Sequence, residues 1–432
     1  MTFRKHLNQL AGQNRLERFT APISKTYQIA SVMKKLEHKP VLFEQVLESK
    51  FRVAGNILPS KATFAEYFGV QVSEIISLLS GAIERHSPYR RITHAACQEV
   101  VIHDPDLDAL PILRHFPTDG GNYISSGVVI ARHPEWGQNL DFHRCMQFSP
   151  TEMSVRVVRS RHFDRFLQDL KELDVAVCIG NVPSVLAAAA TSVDLGLDEL
   201  EIANALEPLV AVQAKTVDVW VPAESEFVLE GTVYLDRRHA EGPFIDLTET
   251  IDIVRQEPVF QVKTITHRRD AIWHALLPGA LEHKLLMGMP REPTIYKLVN
   301  QVVKCLDVNI NPGGCSWLHA IVQIEKRSED DGLKAIQAAF EGHRSCKHVF
   351  VVDSDIDIYD PLSVEWALAT RFQGDRQMLV LSREQGSSLD PSSEPETHAT
   401  TKIGFDLTKP LKAKGKNFEK AIFADIDPQL FR

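Results

Sequence analysis

The feature that most constrains the fold is a series of strand-forming runs between residues 124 and 266. Ile124 to Arg132 is rich in β-branched side chains and Leu140 to Phe148 alternates in the same way. His133 to Asn139 (HPEWGQN) lies between them with turn composition. Two such runs joined by a turn read as a hairpin. Met153 to Val158 supplies a third strand, and Val217 to Val221, Glu226 to Tyr234 and Val259 to Thr266 supply more. Helical patterns at Phe163 to Leu173 and Val185 to Ala190 sit around this sheet. A strand-rich middle flanked by helices predicts a barrel-like sheet, not a doubly wound one.

The flanks read differently. Before the strand-rich region, Met1 to Gln9 and Ile29 to Leu36 look helical, and Val41 to Phe43 and Phe51 to Val53 extended. Ala62 to Glu84 carries helix-period apolar residues, with Ser87 and Pro88 after it as a stop. A helical stretch from Pro293 to Leu306 links to a β-α-β-α series at Ala320 to Glu325, Gly332 to Phe340, His348 to Val352 and Ser363 to Thr370. Such a series predicts a compact α/β unit with at least partly parallel pairing. Ser387 to Thr400 is rich in Ser, Pro and Glu and reads as a loop. A chain of 432 residues is too long for one ordinary core. The expected division is an N-terminal α/β segment (1–95), a central sheet domain (96–292), a linking helix (293–306) and a C-terminal α/β domain (307–432). The class is mixed α/β (α+β).

Composition narrows the partners. The formal net charge of −9 argues against a general nucleic-acid binder, because phosphate neutralisation needs a basic face. The six cysteines show no CxxC and fit neither a zinc ribbon nor a disulfide framework. They read as small apolar residues in a reducing compartment. MTFRKHLNQL has no apolar signal region, and no apolar run approaches the roughly 20 residues that span a bilayer. A soluble, cytoplasmic protein is expected.

Four groups of residues could carry chemistry. In Val351 to Asp360 (VVDSDIDIYD), Asp353, Asp355 and Asp357 share one face of a strand; a divalent-metal site is one reading and a charge-blunted sheet edge the other. Pro312-Gly313-Gly314 reads as a tight turn without phosphate-loop spacing. Asn139, Arg144, Arg156, Arg161 and His162 gather at the hairpin and at the start of the next helix. Guanidinium groups near a helix N-terminus suit a phosphate, and one His with oxygen ligands suits Mn²⁺ or Mg²⁺. Read alone, these arginines also fit a solvated face. Finally, Glu241-Gly242-Pro243-Phe244-Ile245-Asp246 sets two carboxylates five residues apart around a Gly-Pro turn. An arginine between them would favour ionisation, whereas burial away from it would raise a pKa and let one carboxyl act as an acid near neutral pH.

Set in order, these segments resemble the UbiD family of non-oxidative decarboxylases. The resemblance runs from about Leu110 to Pro410 and includes LPILRHFPTDGGNYISSGVVIARHPEWGQN, VPAESEFVLEG, EGPFID, THRRDAIW, NINPGGCSW and VVDSDIDIYDPLSVEWALATR. It implies a split-barrel flavin domain and reversible decarboxylation of an aromatic, heteroaromatic or α,β-unsaturated acid through cycloaddition to prenylated FMN. It also implies a C-terminal oligomerisation domain, a homodimer or larger homo-oligomer, and a flavin prenyltransferase as cofactor supplier. By position, Asn139, His162 and Glu199 match the family's ligands to a divalent ion, usually Mn²⁺, with K⁺ nearby. Glu199 would otherwise read as a surface helix residue. Phe142, His143, Arg144, Arg156, Arg161 and Lys402 match flavin contacts. Arg144, Glu241 and Asp246 match the catalytic network, with Glu241 as proton donor. The resemblance also places the Asp353 to Asp360 run outside the site.

Two departures stand out: Ile245 occupies a usual glycine position, and the third network member is Asp246 where other members use Glu. If that glycine needed positive φ, the turn would differ here. In EHKLLMGMPREP, His283 and Arg291 lie eight apart, as in the furan-2,5-dicarboxylate branch. An extra cation there could hold a second carboxylate or a phosphate; helix capping and surface charge is the plain alternative. Furan-2,5-dicarboxylate is therefore the leading expectation for substrate. A small phosphorylated unsaturated acid, of the anhydromevalonate-phosphate type, is the competitor. Two further classes are a metal-dependent transferase using Asp353, Asp355 and Asp357, and a cofactor-free assembly protein.

Overall fold

The computed structural model describes residues 2–412, 417–421 and 427. At its centre lies a nine-stranded sheet, antiparallel throughout. Eight strands run in the order Asn122–Ile124, Cys145–Gln147, Glu152–Val155, Arg255–His267, Phe227–Glu241, Glu172–Ile179, Val128–His133, Gly137–Phe142, and Val100–Ile102 pairs with Arg255–His267 off this path. The expected hairpin forms, with Ile130 opposite Leu140 and Ala131 opposite Asn139. The expected run Leu140 to Phe148 is split, however: one strand ends at Phe142 and another starts at Cys145. These two strands stand at, or next to, opposite ends of the sheet order. The sheet curls into a half-barrel, and residues 143–144 cross between its two ends.

Burial explains why the strands hold. Val128, Val129, Ile130 and Ala131 are all buried, so consecutive residues of one strand face two apolar layers, as their continuous hydrophobicity requires. One layer joins the sheet to the helices Ile75–Glu84, Pro183–Ala189 and Glu199–Leu206; the other holds Phe163, Phe166, Phe227, Phe260 and Trp273. Each such large side chain taken from water is worth about 2–3 kcal/mol.

The strands Phe227–Glu241 and Arg255–His267 extend well beyond the apolar runs that announced them. Their pairing continues from Arg238–Pro258 to Glu241–Arg255 after a register shift. That extension carries Glu241 to the mouth of the half-barrel.

The C-terminal region forms a mixed five-stranded sheet in the order Lys304–Ile310, His319–Glu325, His348–Asp353, Ala399–Asp406, Met378–Gln385. Its two parallel pairings include the expected β-α-β step through the helix Asp331–Gly342. The helix expected to reach Leu306 ends at Val302, where the chain turns into the first strand of this sheet. A smaller sheet, Glu17–Phe19, Val41–Phe43, Arg52–Gly55 and Ile272–Ala275, joins the N-terminal segment to the half-barrel. No helix among the described residues is long and apolar enough to cross a membrane.

Candidate active site

Arg144 occupies the crossing between the two ends of the sheet, and its guanidinium is the centre of the site. Nε donates to Glu241 Oε1 at 2.9 Å and Nη2 to Glu241 Oε2 at 3.0 Å, a two-pronged pairing that fixes the plane of both groups. Nη1 donates to Asp246 Oδ2, and Nη2 also reaches Asp252 Oδ2 at 2.9 Å. The ring of Phe244 lies 4.5 Å from the guanidinium carbon. The sequence trio Arg144, Glu241 and Asp246 therefore meets, and Asp252 joins it unannounced.

Local backbone aims these acids. Glu241 ends its strand, and Gly242 follows at φ +98, where a Cβ would lie 2.8 Å from the Ile253 carbonyl oxygen. Only glycine fits that conformation and that gap. Ile245 sits in a short strand paired with Ile251, so the left-handed position of this turn falls on Gly242 instead. Asp246 is steadied by Leu247 N–H on Oδ1 at 2.7 Å. Tyr123 Oη donates to Glu241 Oε1 at 3.1 Å and accepts from Gly242 N at 3.1 Å. Burial, with the Glu241 charge beside it, pushes the Tyr123 phenol far up, so it stays a neutral donor. Glu241 is fully buried, whereas the side chains of Asp246 and Asp252 keep 18% and 15% exposure. Asp252 is held down at about 2: burial would raise it, but hydrogen bonds from Arg255 and Arg144 outweigh that.

A second cluster lies along the hairpin strand that precedes Arg144. Asn139 Nδ2 donates to Glu199 Oε1 at 2.9 Å, and Leu140 N to Glu199 Oε2 at 2.7 Å. Glu199 opens a helix, as its sequence suggests, but is 2% exposed and faces the sheet. Burial pushes its carboxyl well above the usual range. Asn139 Oδ1 is buried without a partner. His143 Nδ1 donates to the Arg156 carbonyl at 2.9 Å, and its Nε2 lies 2.9 Å from Asp141 Oδ1. Burial opposes its charge, yet Asp141 raises its pKa on balance. His162 opens the helix His162–Leu170 and is pushed down by burial, against a pull from Asp141. Asp141 thus bears on His143, His162 and Glu199 together, and sequence reasoning passed over it. Its signal was alternation: Asn139, Asp141 and His143 share one parity. Phe142 packs on the adjacent core, and Arg156 is tied to Glu257 at 2.8 Å.

The chemistry of this set suits a hard cation and an anion. It offers a carboxylate, an amide oxygen lacking a donor and an imidazole, the last with Arg161 and Arg165 near it. Among the described residues, no three His, Cys, Asp or Glu side chains converge on one point.

The third cluster is cationic. Arg161, Arg291 and Lys402 all bear on His343, whose ring is pushed down to about 3 by burial first and then by Arg291. Arg291 is itself lowered to about 10 by burial and by Arg161. It donates to Ser192 Oγ, faces the Trp317 ring at 5.5 Å and keeps a buried, unpartnered Nε. Lys402 is 4% exposed and donates to the Arg344 carbonyl. Among the described residues, none of the three forms an ion pair. His283, eight residues before Arg291, is separate from this cluster and faces Asp246 and Arg144. Gly279 N donates to its Nδ1 at 3.0 Å, so the neutral ring carries its proton on Nε2. The acidic run is elsewhere: Arg371 holds Asp353 and Asp355, and Lys409 adds to both.

Comparison with known proteins assigns the class. Three family models cover the chain: the 3-octaprenyl-4-hydroxybenzoate carboxy-lyase N-terminal domain over residues 7–83, its Rift-related domain over 90–281 and its C-terminal domain over 284–407. The chain is 40% identical to an anhydromevalonate phosphate decarboxylase of Methanocaldococcus jannaschii, over 93% of this chain and 96% of that one. It is 39% identical to the enzyme of that name from Methanothermobacter thermautotrophicus, over 92% and 95%. The solved structure of the UbiD-class enzyme HmfF from Pelotomaculum thermopropionicum in complex with FMN superposes with a TM-score of 0.95 at 35% identity, covering 98% and 97%. An evolved dimeric form of HmfF in complex with prFMN superposes with a TM-score of 0.91 at 34% identity, covering 100% and 98%. A fold and site of this kind define a carboxy-lyase, and the chain is a decarboxylase. It belongs to the UbiD family.

Proposed function

We propose that this decarboxylase acts on a small α,β-unsaturated acid bearing a second anionic group, a phosphorylated acid before others, with prenylated FMN as cofactor. The observation that carries the reading is Arg291, whose guanidinium makes no ion pair among the described residues and keeps a buried, unpartnered Nε beside Trp317 and Ser192. A buried guanidinium nitrogen without a partner suits an oxyanion that arrives with the ligand. The names of the relatives in Methanocaldococcus jannaschii and Methanothermobacter thermautotrophicus support a phosphorylated substrate. The prFMN and FMN complexes of HmfF support the cofactor.

In this reading Phe142, His143, Arg156, Arg161 and Lys402 hold the flavin. Asn139, His162 and Glu199 would hold a Mn²⁺ or Mg²⁺ ion, with K⁺ as a second ion. The cofactor, when bound, supplies the electron sink that makes loss of CO₂ possible. The chain does the rest. Arg144 fixes Glu241 and Asp246 in one plane. Glu241 Oε1 already accepts from Arg144 and Tyr123, so Oε2, with one partner, is the oxygen that carries the proton to the substrate carbon. Burial of Glu241 excludes water from that transfer. Homo-oligomer formation and cofactor supply by a flavin prenyltransferase belong to the same reading; the dimeric HmfF supports the first.

A furan-2,5-dicarboxylate substrate is the second reading. It is favoured by His283, whose Nε2–H belongs to the group around Arg144 and Asp246 and offers a neutral donor to a ring carboxylate. The test is holoenzyme kinetics on phosphorylated unsaturated acids, furan dicarboxylates and simple monoacids, with Arg291→Met and His283→Ala alongside. For a phosphorylated acid, Arg291→Met is expected to lower kcat/KM about 100-fold, mostly through KM, as loss of a charge-assisted contact does. If monoacids turn over as well as dianionic acids, the reading is wrong. If furan dicarboxylates outrun phosphorylated acids and depend on His283, the second reading replaces the first.

A further inference from the structure

Asn139 and Glu199 are each preceded by a polar residue that makes a contact of its own. Gln138 precedes Asn139 in the strand Gly137–Phe142, and Asp198 caps the helix Glu199–Leu206. Gln138 Nε2 donates to Asp198, at 3.2 Å from Oδ2 and 3.4 Å from Oδ1. Strand and helix start are therefore joined by two adjacent rungs, Asn139–Glu199 inside and Gln138–Asp198 outside.

The outer rung is braced from behind. Trp220 N donates to Gln138 Oε1 at 2.8 Å, which turns the NH₂ of that amide toward Asp198. Asp198 in turn accepts from Leu200 N and from Tyr89 Oη, each at 3.0 Å. Tyr89 and Trp220 belong to one support. Trp220–Pro222 and Arg90–Ile92 are the outer strands of a three-stranded sheet, and Tyr89 directly precedes the second. The Arg91 guanidinium carbon lies 5.5 Å from the Tyr89 ring and 4.6 Å from the Trp220 ring. The far end of the helix is held separately. Asn204 Nδ2 donates to Ser87 Oγ at 2.9 Å, and Asn204 Oδ1 accepts from Leu209 N at 2.8 Å.

We propose that Gln138 and Asp198 are positioning residues for the divalent ion, setting the register in which Asn139 and Glu199 meet it. The inference rests on Asn139 and Glu199 being ligands to that ion. The inner rung spends Asn139 Nδ2 on Glu199 and leaves Asn139 Oδ1 buried without a partner, open to a cation. That orientation depends on where the helix start sits against the strand, and the outer rung fixes this one residue away. Without it the helix start can pivot while Asn204 keeps the far end in place. Outer partners of metal ligands typically change metal affinity about 10–100-fold.

The test is Mn²⁺ binding to FMN-saturated protein stripped of divalent ions. Binding is read from the electron paramagnetic resonance signal of free Mn²⁺, with Tm measured alongside. Asp198→Asn keeps a good helix cap and an oxygen for Leu200 N, but sets one NH₂ against that of Gln138. It is expected to weaken Mn²⁺ binding about tenfold while Tm moves by less than about 4 °C. Adding Gln138→Glu reverses the rung, because one new oxygen keeps Trp220 N and the other accepts from the new amide at 198. The double variant is expected to bind Mn²⁺ within about twofold of the unsubstituted protein.

Unchanged affinity in Asp198→Asn overturns the proposal, as does a double variant that stays as weak as the single one. If Asp198→Asn does not fold, Tyr89→Phe decides, because it deletes only the Oη bond to Asp198. Binding about threefold weaker is then expected, and unchanged affinity overturns the proposal equally. Asn139→Ala that binds Mn²⁺ as tightly as the unsubstituted protein would instead overturn the ligand reading beneath it.

Discussion

Replacing Arg144 by Met removes the cation at the centre of three carboxylates, and its stacking on Phe244, while keeping an unbranched aliphatic stem. The effect follows from who can reach water. Asp246 and Asp252 keep 18% and 15% exposure and can rehydrate, and Asp252 retains Arg255. Glu241 is 0% exposed and cannot. It would retain Tyr123 as a donor and lose both bonds to Arg144, at 2.9 and 3.0 Å. Removing one partner of a buried pair costs about 3–5 kcal/mol, because the other charge is left uncompensated.

The cost has a pH signature. In the variant the orphaned carboxyl binds its proton more tightly folded than unfolded. Such a group contributes fully to stability below its unfolded pKa, about 4.3 for Glu, and that contribution is lost as pH rises through the folded value. The deficit relative to the unsubstituted protein is therefore smallest near pH 4.5 and largest near pH 8. Urea unfolding followed by circular dichroism across that range measures it. A deficit below about 1 kcal/mol at neutral pH, or one equal at both ends, would refute the assignment of Arg144 as counter-ion to a buried Glu241.

Other expectations follow from single features. Asp252, at about 2 against an ordinary 3.8, contributes about 2 kcal/mol that is present above pH 4 and lost as pH falls through 2; acid unfolding of Asp252→Asn should lack that component. Gly242→Ala places a Cβ 2.8 Å from the Ile253 carbonyl at φ +98 and should cost about 1–3 kcal/mol in urea unfolding. It should also lower kcat at least tenfold, because Glu241 is the preceding residue. Lys402→Met should weaken FMN binding about tenfold or more, read by flavin fluorescence quenching, if Lys402 contacts the flavin phosphate. Glu282 accepts from the backbone of Ile57 and Leu58, each at 3.2 Å, and is 1% exposed. Glu282→Gln turns one acceptor into a donor and should cost about 2–3 kcal/mol by thermal or urea unfolding.

The parts of this molecule written as local pattern were legible in its sequence. The hairpin around HPEWGQN and the C-terminal β-α-β step depend on near neighbours and form where expected; the helix opened by His162 also forms, but ends at Leu170, short of Leu173, which belongs to the unexpected strand Glu172–Ile179. What local pattern does not encode was harder to see. Asp236, Arg237, Arg238 and His239 have little strand propensity, yet they extend Phe227–Glu241 because Arg255–His267 pairs with them. The strands Met378–Gln385 and Ala399–Asp406, the second carrying Lys402, lie beside a Ser/Pro/Glu-rich loop and were missed. Glu199 was read as helical but exposed, because nothing beside it in sequence announces Asn139 and Leu140 as its partners. Asp252 hides between Ile251, Ile253 and Val254, three apolar residues that are all exposed. A charged residue being more buried than its apolar neighbours is a tertiary fact, invisible to periodicity.

The topology also explains why five of the site's residues could be found by spacing at all. Asn139 and Arg144 are five apart because one precedes and the other occupies the crossing between the sheet's two ends. Glu241 and Asp246 are five apart because one ends the longest strand and the other follows the turn that Gly242 permits. His162 opens the helix reached just after the crossing strands. Fixed spacings of this kind mark fixed backbone, so substitutions within 139–144 or 241–246 act on two functions together. Inserting a residue into either segment would turn its far member to the opposite face. An insertion between Asn139 and Leu140 should then break the Glu241–Arg144 pair, whereas one between Gly242 and Asp246 should break the Asp246–Arg144 contact and leave Glu241 on Arg144.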